Sequence, residues 1–330
     1  MKRRLISILT ITCLLFCLAG CQDENVADPT PTEPTAKTYQ VGVVQLVENN
    51  AFTDMREGFV NRMRELGYDE SQMTFIYKNA QGDPSNLNAI CQELVTAKVD
   101  FIVSIVTPAT QAIVNMDSGI PVFFISVTDP VSAGVMSDMA NPDKNATGTS
   151  NAVPVDEIFN LANILTPEIQ TYGLLYNTGE VNAVKTIENA KAYLDSQNIA
   201  YVEQIVTNSS EVQQAAQALV GQADAIYVPI DSMVQSAMPQ VAEVAKEAKL
   251  PVYGSSAVMV QSGALATVSV SDIEIGKMTA EQAHQFLTGT PLSDIPAVTL
   301  DTFTMVINQT TAAAIDVIIS DTLQDAVLID

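Results

Sequence analysis

The chain has 330 residues, no Trp, one His and a formal net charge of −23. A surface this acidic repels phosphate backbones and argues against a nucleic-acid partner. The single His284 and four Cys give no cluster of the kind that zinc, iron or copper sites need, so we expect no metal and no cofactor.

The first 21 residues have the pattern of a secretion signal. Three basic residues at positions 2–4 precede an apolar stretch over 5–18, which ends in Leu18-Ala19-Gly20-Cys21. This ending is similar to a lipobox, so we expect Cys21 to carry lipid as the first mature residue. Residues 22–37 are rich in Pro, Thr, Asp and Glu and predict a disordered linker between anchor and body.

Strand and helix patterns then alternate in chain order. We expect strands at 41–47, 73–77, 101–106 and 121–125, with helices at about 52–66 and at 84–97, where Asp83 is the N-cap. Cys91, the one cysteine left in the body, lies in an apolar helical pattern and is predicted to be a core residue.

A second copy of this pattern follows at an offset of about 124 to 131 residues. Strands are expected at 171–177, 201–206, 223–228 and 250–253, with helices at about 182–197 and at 210–221, capped by Ser209 or Ser210. Alternating strands and helices imply parallel sheets covered on both faces. The predicted fold is therefore α/β, with two doubly wound Rossmann-like lobes.

Polar residues follow nearly every apolar strand. Ligands of open parallel sheets collect outside the carboxyl ends of the strands, and small-molecule sites place a few polar groups in apolar surroundings. Loops at strand ends are also polar because they cap helices and contact water, which is the competing explanation for each residue taken singly. The candidate binding residues are Asn49, Phe52, Thr107, Thr128, Asp129, Asn177, Glu180, Asn182, Asp231, Ser232, Ser255 and Asp272.

Signatures of catalysis are missing from the chain. It has no phosphate-cradling glycine loop, no dinucleotide fingerprint and no Gly-x-Ser-x-Gly elbow. Because no spacing singles out a pair among the 38 acids, the pattern favours binding over catalysis.

Several segments resemble the substrate-binding lipoproteins of ABC importers with a type I periplasmic-binding fold, in the tryptophan and aromatic amino acid subfamily. They are Asn79-Ala80-Gln81-Gly82-Asp83, residues 107–112, residues 127–134, Tyr176-Asn177 and residues 263–266. The resemblance implies an extracytoplasmic monomer that works with permease and ATPase subunits. It also implies lobes at 38–149 plus 272–288 and at 150–271 plus 299–330, joined by a hinge of three crossings.

The chain departs from that subfamily at three places in the cleft. Asn49-Asn50 and Thr53 stand where the family often has His-Pro and a following Asp, and Ile230-Asp231-Ser232 replaces Thr-Asp-Asn. Asp272-Ile273 replaces Asp-Tyr, which removes a tyrosine that could line the pocket. These changes can alter the choice of amino acid or direct the pocket to another ligand.

An amino-acid ligand needs separate partners for its carboxylate and its ammonium. Thr107 and Asn182, each at the start of a helix, suit the carboxylate. Asp129, Glu180, Asp231 and Asp272 are candidates for the ammonium; Asp129 and Asp231 are favoured because each ends an apolar strand, whereas Asp272 could equally be an N-cap. Phe52 or Phe124 could form an apolar wall. On this hypothesis, Asp231→Ala loses binding and leaves the fold intact.

Three other readings stay open. The ligand could be a sugar, nucleoside or short organic acid, although the absence of Trp disfavours a stacked sugar. The protein could be a sensor that reports ligand to a signalling partner, which a neighbouring permease and ATPase gene would argue against. An enzyme on the same fold would have to turn over its bound compound.

Overall fold

The structure, a computed structural model, describes residues 37–330. The predicted secretion signal, Cys21 and all but the last residue of the predicted linker lie outside the described residues. No helix in the described part of the chain is long and apolar enough to cross a bilayer.

Thirteen strands and eleven α-helices make up the described part of the chain. The strands are β1 (Tyr39–Gln45), β2 (Met73–Asn79), β3 (Phe101–Ile105), β4 (Val122–Ile125), β5 (Ala146–Asn151), β6 (Thr171–Asn177), β7 (Ala200–Val206), β8 (Ala225–Val228), β9 (Val252–Gly254), β10 (Ala266–Ser269), β11 (Val298–Leu300), β12 (Thr304–Asn308) and β13 (Val327–Ile329). The helices are α1 (Asn50–Glu65), α2 (Pro84–Ala97), α3 (Val106–Val114), α4 (Val155–Leu165), α5 (Val181–Gln197), α6 (Val212–Leu219), α7 (Ser232–Ser236), α8 (Met238–Glu247), α9 (Ala257–Gln261), α10 (Asp272–Leu287) and α11 (Gln309–Ala314).

The strands form two sheets, which define a first and a second lobe. The first sheet has the order β11-β5-β4-β3-β1-β2 and is parallel throughout. The second has the order β13-β12-β10-β9-β8-β6-β7 and contains one antiparallel pair, β10 with β12. Two mainly parallel sheets with interleaved helices confirm the predicted fold class.

The expected lobe boundaries can be compared with these strands. The boundary at 149/150 falls inside β5, and the boundary at 299 falls inside β11. Both strands belong to the first sheet, because Val298–Leu300 pairs in parallel with residues 149–151. The chain therefore leaves the first sheet after residue 151 and again after residue 300.

Apolar strands covered by helices on both faces make the core of each lobe. All five residues of β3 and all four of β4 are buried, as expected for central strands of a parallel sheet. Cys91 is fully buried against the first sheet, and burial raises the pKa of its thiol to about 12. The prediction of a core cysteine is thus confirmed.

Two helix starts differ from the predicted caps. The segment over 210–221 is a 3-10 turn followed by α6, and Asn208, instead of Ser209 or Ser210, caps it by accepting a hydrogen bond from the Ser210 N–H. Ser271 caps α10 by accepting from the Glu274 N–H, which leaves Asp272 as the first helical residue. His284 near the end of α10 is half-buried, and its Nδ1 lies 3.0 Å from the Tyr68 hydroxyl.

Two glycines allow α1 and α10 to cross closely. A Cβ added at Gly276 would lie 2.1 Å from the Met55 carbonyl oxygen, and one at Gly58 would lie 2.3 Å from the Ile273 carbonyl oxygen. Backbone atoms on both sides leave no flexible side chain to move aside. This contact holds α10 on the first lobe, although its residues follow the second lobe in the chain.

Replacing Gly276 by Ala should therefore destabilise the protein. Overpacking against backbone costs about 3 kcal/mol, which exceeds the gain of about 1 kcal/mol in helix propensity. Urea denaturation measures the difference, with Gln285→Ala at an exposed position of the same helix as the control. A Gly276→Ala protein as stable as the control variant would show that the helices can move apart freely.

Candidate functional site

The carboxyl-terminal edges of the two sheets face each other across a cleft. The cleft contains a cavity of about 830 Å³ between the lobes, lined by Leu46, Gln81, Gly82, Asp83, Pro84, Leu87, Asn88, Pro108, Gln111, Ala112, Asn177, Thr178, Gly179, Glu180, Thr207, Asn208 and Met233. A smaller cavity of about 330 Å³ brings Asp129 of the first lobe together with Asn182 of the second. A groove of about 690 Å³ beside α4 contains none of the predicted site residues.

The first lobe contributes polar atoms that are buried without a protein partner. Asn49 follows β1, and its Oδ1 accepts from the Phe52 N–H while its Nδ2 is buried and unpartnered among the described residues. The hydroxyls of Thr107, after β3, and of Thr128, after β4, are likewise buried and unpartnered there. Buried polar groups are normally hydrogen-bonded, so three such groups at one sheet edge point to a ligand.

Backbone strain marks the same edge. Val106 has a φ of 61° and Ser126 a φ of 64°, one position before Thr107 and two before Thr128. A β-branched residue such as valine in this region is a genuine outlier, and strain of this kind clusters at functional sites. Val106 also begins α3, whose N-cap position makes no side-chain hydrogen bond, so the N–H groups in the first turn of this nine-residue helix, from which Pro108 is missing, have no side-chain cap.

The second lobe contributes two buried carboxylates. Asp231, which is 0% exposed, accepts from the N–H groups of Met233 and Val234 at 3.0 Å each, and from the Asn177 N–H at 2.6 Å. Glu180 accepts from the Ser232 N–H at 3.0 and 3.1 Å and from the Ser232 hydroxyl at 3.1 Å. Asn182 Nδ2 donates to the Ile230 carbonyl at 2.7 Å. The structure thus brings together the five predicted residues Asn177, Glu180, Asn182, Asp231 and Ser232.

These carboxylates have no positive partner among residues 37–330. In the described part of the chain, no Lys, Arg or His forms an ion pair with Glu180 or Asp231. Burial raises the pKa of both carboxyls, and the negative charge of Asp231 raises the pKa of Glu180 further. The Oδ1 of Asn182 is also buried and has no hydrogen-bond partner in the described part of the chain, so the second lobe offers three acceptor groups.

Asp272 is a third buried acid at the cleft. It lines a cavity of about 230 Å³ together with Asp54 and Ser269. Burial raises the pKa of Asp272 to about 7, and the negative charge of Asp54 adds to the rise. The Ser269 hydroxyl beside it is buried without a partner among the described residues, so this corner can also accept a polar ligand group.

The remaining predicted residues have internal partners. Asp129, half-exposed, accepts from the Ser132 N–H at 2.9 Å and from its hydroxyl at 2.6 Å within one turn. Ser255 donates to the Val228 carbonyl at 3.0 Å and lies 3.0 Å from the Tyr227 hydroxyl. Phe52 is buried in the core of the first lobe. The structure thus gives these three residues structural contacts, and their binding roles stay predictions.

Polarity is divided between the lobes. The unpartnered groups of the first lobe include the donor Asn49 Nδ2, the Thr107 and Thr128 hydroxyls, which can donate, and the α3 N-terminus, whereas the second lobe presents the acceptors Glu180 and Asn182 Oδ1 next to the enclosed Asp231. Asp272 of α10 is the exception, because it is a buried acid on the first lobe. A donor-rich edge suits an anion and an acceptor-rich edge suits a cation. A small zwitterion that bridges the cleft would satisfy both edges.

Two features of the site were not predicted from the sequence. The buried Gln235 and Ser256 are joined by a hydrogen bond of 2.8 Å, which connects α7 to α9. Met233, next to the predicted Ser232, is buried against the first lobe. The sequence signal for Met233 was an apolar residue directly after the polar pair Asp231-Ser232. No sequence pattern pointed to the contact between Gln235 and Ser256.

Comparison with known proteins identifies the class to which this fold and cleft belong. The model of the family "ABC transporter substrate binding protein" matches residues 40–327, and the chain belongs to that family. A tyrosine-binding protein of Clostridioides difficile is 35% identical over 303 residues, which cover 91% of this chain and 88% of that protein.

Two solved structures show how the lobes are arranged. An ABC domain from Streptococcus pneumonia in complex with L-Trp is 29% identical, with a TM-score of 0.86 over 89% of this chain and 100% of that one. A ligand-free, open substrate binding protein with adhesive properties from Clostridium difficile is 33% identical, with a TM-score of 0.68 over 89% and 99%. Since identity and coverage are similar, the higher score indicates lobes placed more as in the tryptophan complex than as in the open form.

Proposed function

We propose that this protein is the extracytoplasmic substrate-binding component of an ABC importer and captures an aromatic L-amino acid. The cleft is proposed to hold the amino acid between the two lobes, with the ligand carboxylate at the first lobe and the ligand ammonium at the second. The observation that carries this proposal is the pair of buried carboxylates, Glu180 and Asp231, which lack a positive partner in the described chain.

The carboxylate is proposed to bind at the start of α3. The Thr107 hydroxyl and the first N–H groups of α3 act as donors, with Asn49 Nδ2 and the Thr128 hydroxyl at the same sheet edge. Helix N-termini favour anions because free N–H groups and the helix dipole act together. This assignment keeps the role predicted for Thr107 and gives Asn182, whose free atom is an acceptor, to the ammonium instead.

The ammonium is proposed to bind beside Glu180. Of the two coupled acids, Glu180 lines the cavity between the lobes, whereas Asp231 is fully enclosed by backbone N–H groups. Asp231 then supports the site without touching the ligand, because it holds Asn177 and the start of α7 in place and adds negative charge. Asp272 is the alternative partner on the opposite side of the cleft.

An aromatic side chain is supported by two relatives. The related Clostridioides difficile protein is named for tyrosine, and the Streptococcus structure contains L-Trp. The replacements at Asn49, Ile230 and Ile273 bear on which aromatic residue fits. We propose tyrosine or tryptophan as the class of ligand to test first.

Export and anchoring complete the proposal. The signal pattern over 1–21 and Cys21 support a lipid anchor on the outer side of the cell membrane, with permease and ATPase subunits as partners. Metabolic labelling with a palmitate analogue tests the anchor, because Cys21→Ser should abolish incorporation. Labelling that persists in that variant would place the lipid on another residue.

A thermal-shift screen tests the ligand class. The protein is unfolded and refolded to remove retained ligand, then tested against the amino acids, nucleosides, simple sugars and organic acids. A ligand that binds only the native state raises the melting temperature by mass action. We expect tyrosine or tryptophan to give the largest shift; a shift with sugars or nucleosides alone would overturn the amino-acid assignment.

Ligand affinity should rise with pH over the acid-to-neutral range. A protonated carboxyl cannot pair with an ammonium, and the pKa of Glu180 and that of Asp272 both lie above the usual carboxyl range. Affinity is therefore expected to increase from pH about 5 to about 8 and then to level off, while the ligand ammonium stays charged. Calorimetric titrations in buffers of different ionisation enthalpy should also show proton release on binding.

The stability of the ligand-free protein should change in the opposite direction. A raised folded-state pKa means that the folded state binds more protons than the unfolded state, so stability falls as pH rises through this window. Affinity that is flat across the window would show that no carboxyl of raised pKa contacts the ligand.

A further inference from the structure

Met233 crosses the cleft from the second lobe to the first. It lies in the short helix α7, after strand β8 of the second sheet, yet it is buried in an apolar cluster with Leu46, Ala80 and Leu87 of the first lobe. A Cβ built on Gly82 would lie 3.7 Å from both the sulfur and the methyl carbon of Met233. The methionine therefore packs directly on the first lobe.

Val258 makes a second contact of the same kind. It lies in α9, after strand β9 of the second sheet, and is buried with Met55, Phe59 and Ile275 of α1 and α10. Both helices α7 and α9 thus follow neighbouring strands of the second sheet and place one apolar side chain on the first lobe. Burial of these side chains is available only when the lobes are together.

Hydrogen bonds connect these two contacts to each other and to the acidic pair. The Ser256 hydroxyl, at the N-cap of α9, donates to Gln235 Oε1 of α7 at 2.8 Å. Ser232, the first residue of α7, donates its N–H and its hydroxyl to Glu180. Met233, which packs on the first lobe, therefore directly follows Ser232, which binds Glu180.

We infer that Met233 and Val258 form an apolar latch that stabilises the closed arrangement of the lobes even without ligand and thereby raises ligand affinity. A ligand binds more tightly when a larger fraction of the protein is already in the competent arrangement. Ligand bound beside Glu180 would fix the start of α7 and so favour insertion of Met233. The latch is inferred from the arrangement of the lobes in this structure, and its effect on affinity rests on the proposed function.

Small-angle X-ray scattering and calorimetry on the purified protein test the latch. Met233→Ala removes most of a buried apolar side chain, so we expect the ratio of closed to open protein to fall at least tenfold. The ligand-free variant should have a larger radius of gyration than ligand-free wild type, and saturating tyrosine or tryptophan should restore the compact curve. The dissociation constant should rise about tenfold, whereas Met233→Leu should be near wild type.

Met238→Ala is the matched control. Met238 is fully buried in the core of the second lobe itself, so its truncation should lower the melting temperature without changing the radius of gyration. Identical ligand-free scattering for wild type and Met233→Ala, or equal expansion in Met238→Ala, would overturn the latch. The scattering of ligand-free protein does not depend on which ligand binds, so a wrong ligand assignment leaves this test decisive.

Discussion

Replacing Glu180 by Gln should weaken ligand binding by at least about thirtyfold and raise the melting temperature of the ligand-free protein. Glu180 is 4% exposed, and no described cation pairs with its carboxylate. Truncating one side of a buried charge contact costs about 2–5 kcal/mol of binding. Without ligand, the same change removes an uncompensated buried charge beside Asp231 and should stabilise the fold by about 1 kcal/mol.

The opposite signs make this variant informative. Glutamine keeps an oxygen that accepts from the Ser232 N–H and hydroxyl, so the local structure should persist. Glu203→Gln is the control, because Glu203 lies in the same lobe and is paired with Lys191 at 2.6 Å. It should leave affinity unchanged. If Glu180→Gln binds as tightly as wild type, another group holds the ammonium, and Asp272 is next to be tested.

Asp231→Ala should lower the free energy of unfolding by about 3 kcal/mol, so the protein should unfold at a markedly lower denaturant concentration. The substitution leaves the N–H groups of Asn177, Met233 and Val234 without their acceptor in a site closed to solvent. Each unsatisfied buried donor costs about 1–3 kcal/mol, and partial relaxation reduces the sum. This expectation differs from the hypothesis that the variant keeps its fold intact, because the carboxylate joins β6 to α7.

Asp83→Ala provides the comparison for Asp231→Ala. Asp83 is also an N-cap and accepts from the Ser85 N–H at 2.7 Å, but it is exposed, so water can replace it. Its loss should cost about 1 kcal/mol. Equal urea midpoints for the two variants would show that the buried network around Asp231 contributes nothing beyond an ordinary helix cap.

The sequence predicted the fold well because local patterns carry it. Apolar runs such as the predicted strand over 101–106 are followed by polar residues, and the Asp83-Pro84 pair sets the start of α2, where the structure places it. The tandem repeat of this pattern was enough to predict two sheets. The antiparallel pair of β10 with β12 was not predicted, since a strand pattern carries no direction.

The site was only partly predictable for a physical reason. Strand ends predict Thr107, Glu180 and Asp231 as binding residues, and these roles stay predictions. Sequence alone cannot tell which polar atoms are left without a hydrogen-bond partner after folding. Asp129 and Asp231 are the residues favoured for the ammonium, but Asp129 accepts from the Ser132 N–H and hydroxyl, and Asp231 accepts from backbone N–H groups. Contacts between lobes, such as that of Met233 with Gly82, join residues about 150 positions apart and leave no local pattern.

One titration tests the central claim, that the two lobes bind opposite ends of a zwitterion. Ligand-stripped protein is titrated with tyrosine, with tyramine, which lacks the carboxylate, and with 3-(4-hydroxyphenyl)propionate, which lacks the ammonium; tryptophan, tryptamine and indole-3-propionate form the parallel set. We predict that one amino acid binds and that both of its analogues lose at least about a hundredfold in affinity, since each leaves buried polar groups unpaired. An analogue that binds as tightly as the amino acid would contradict the assignment of the lobe it fails to engage.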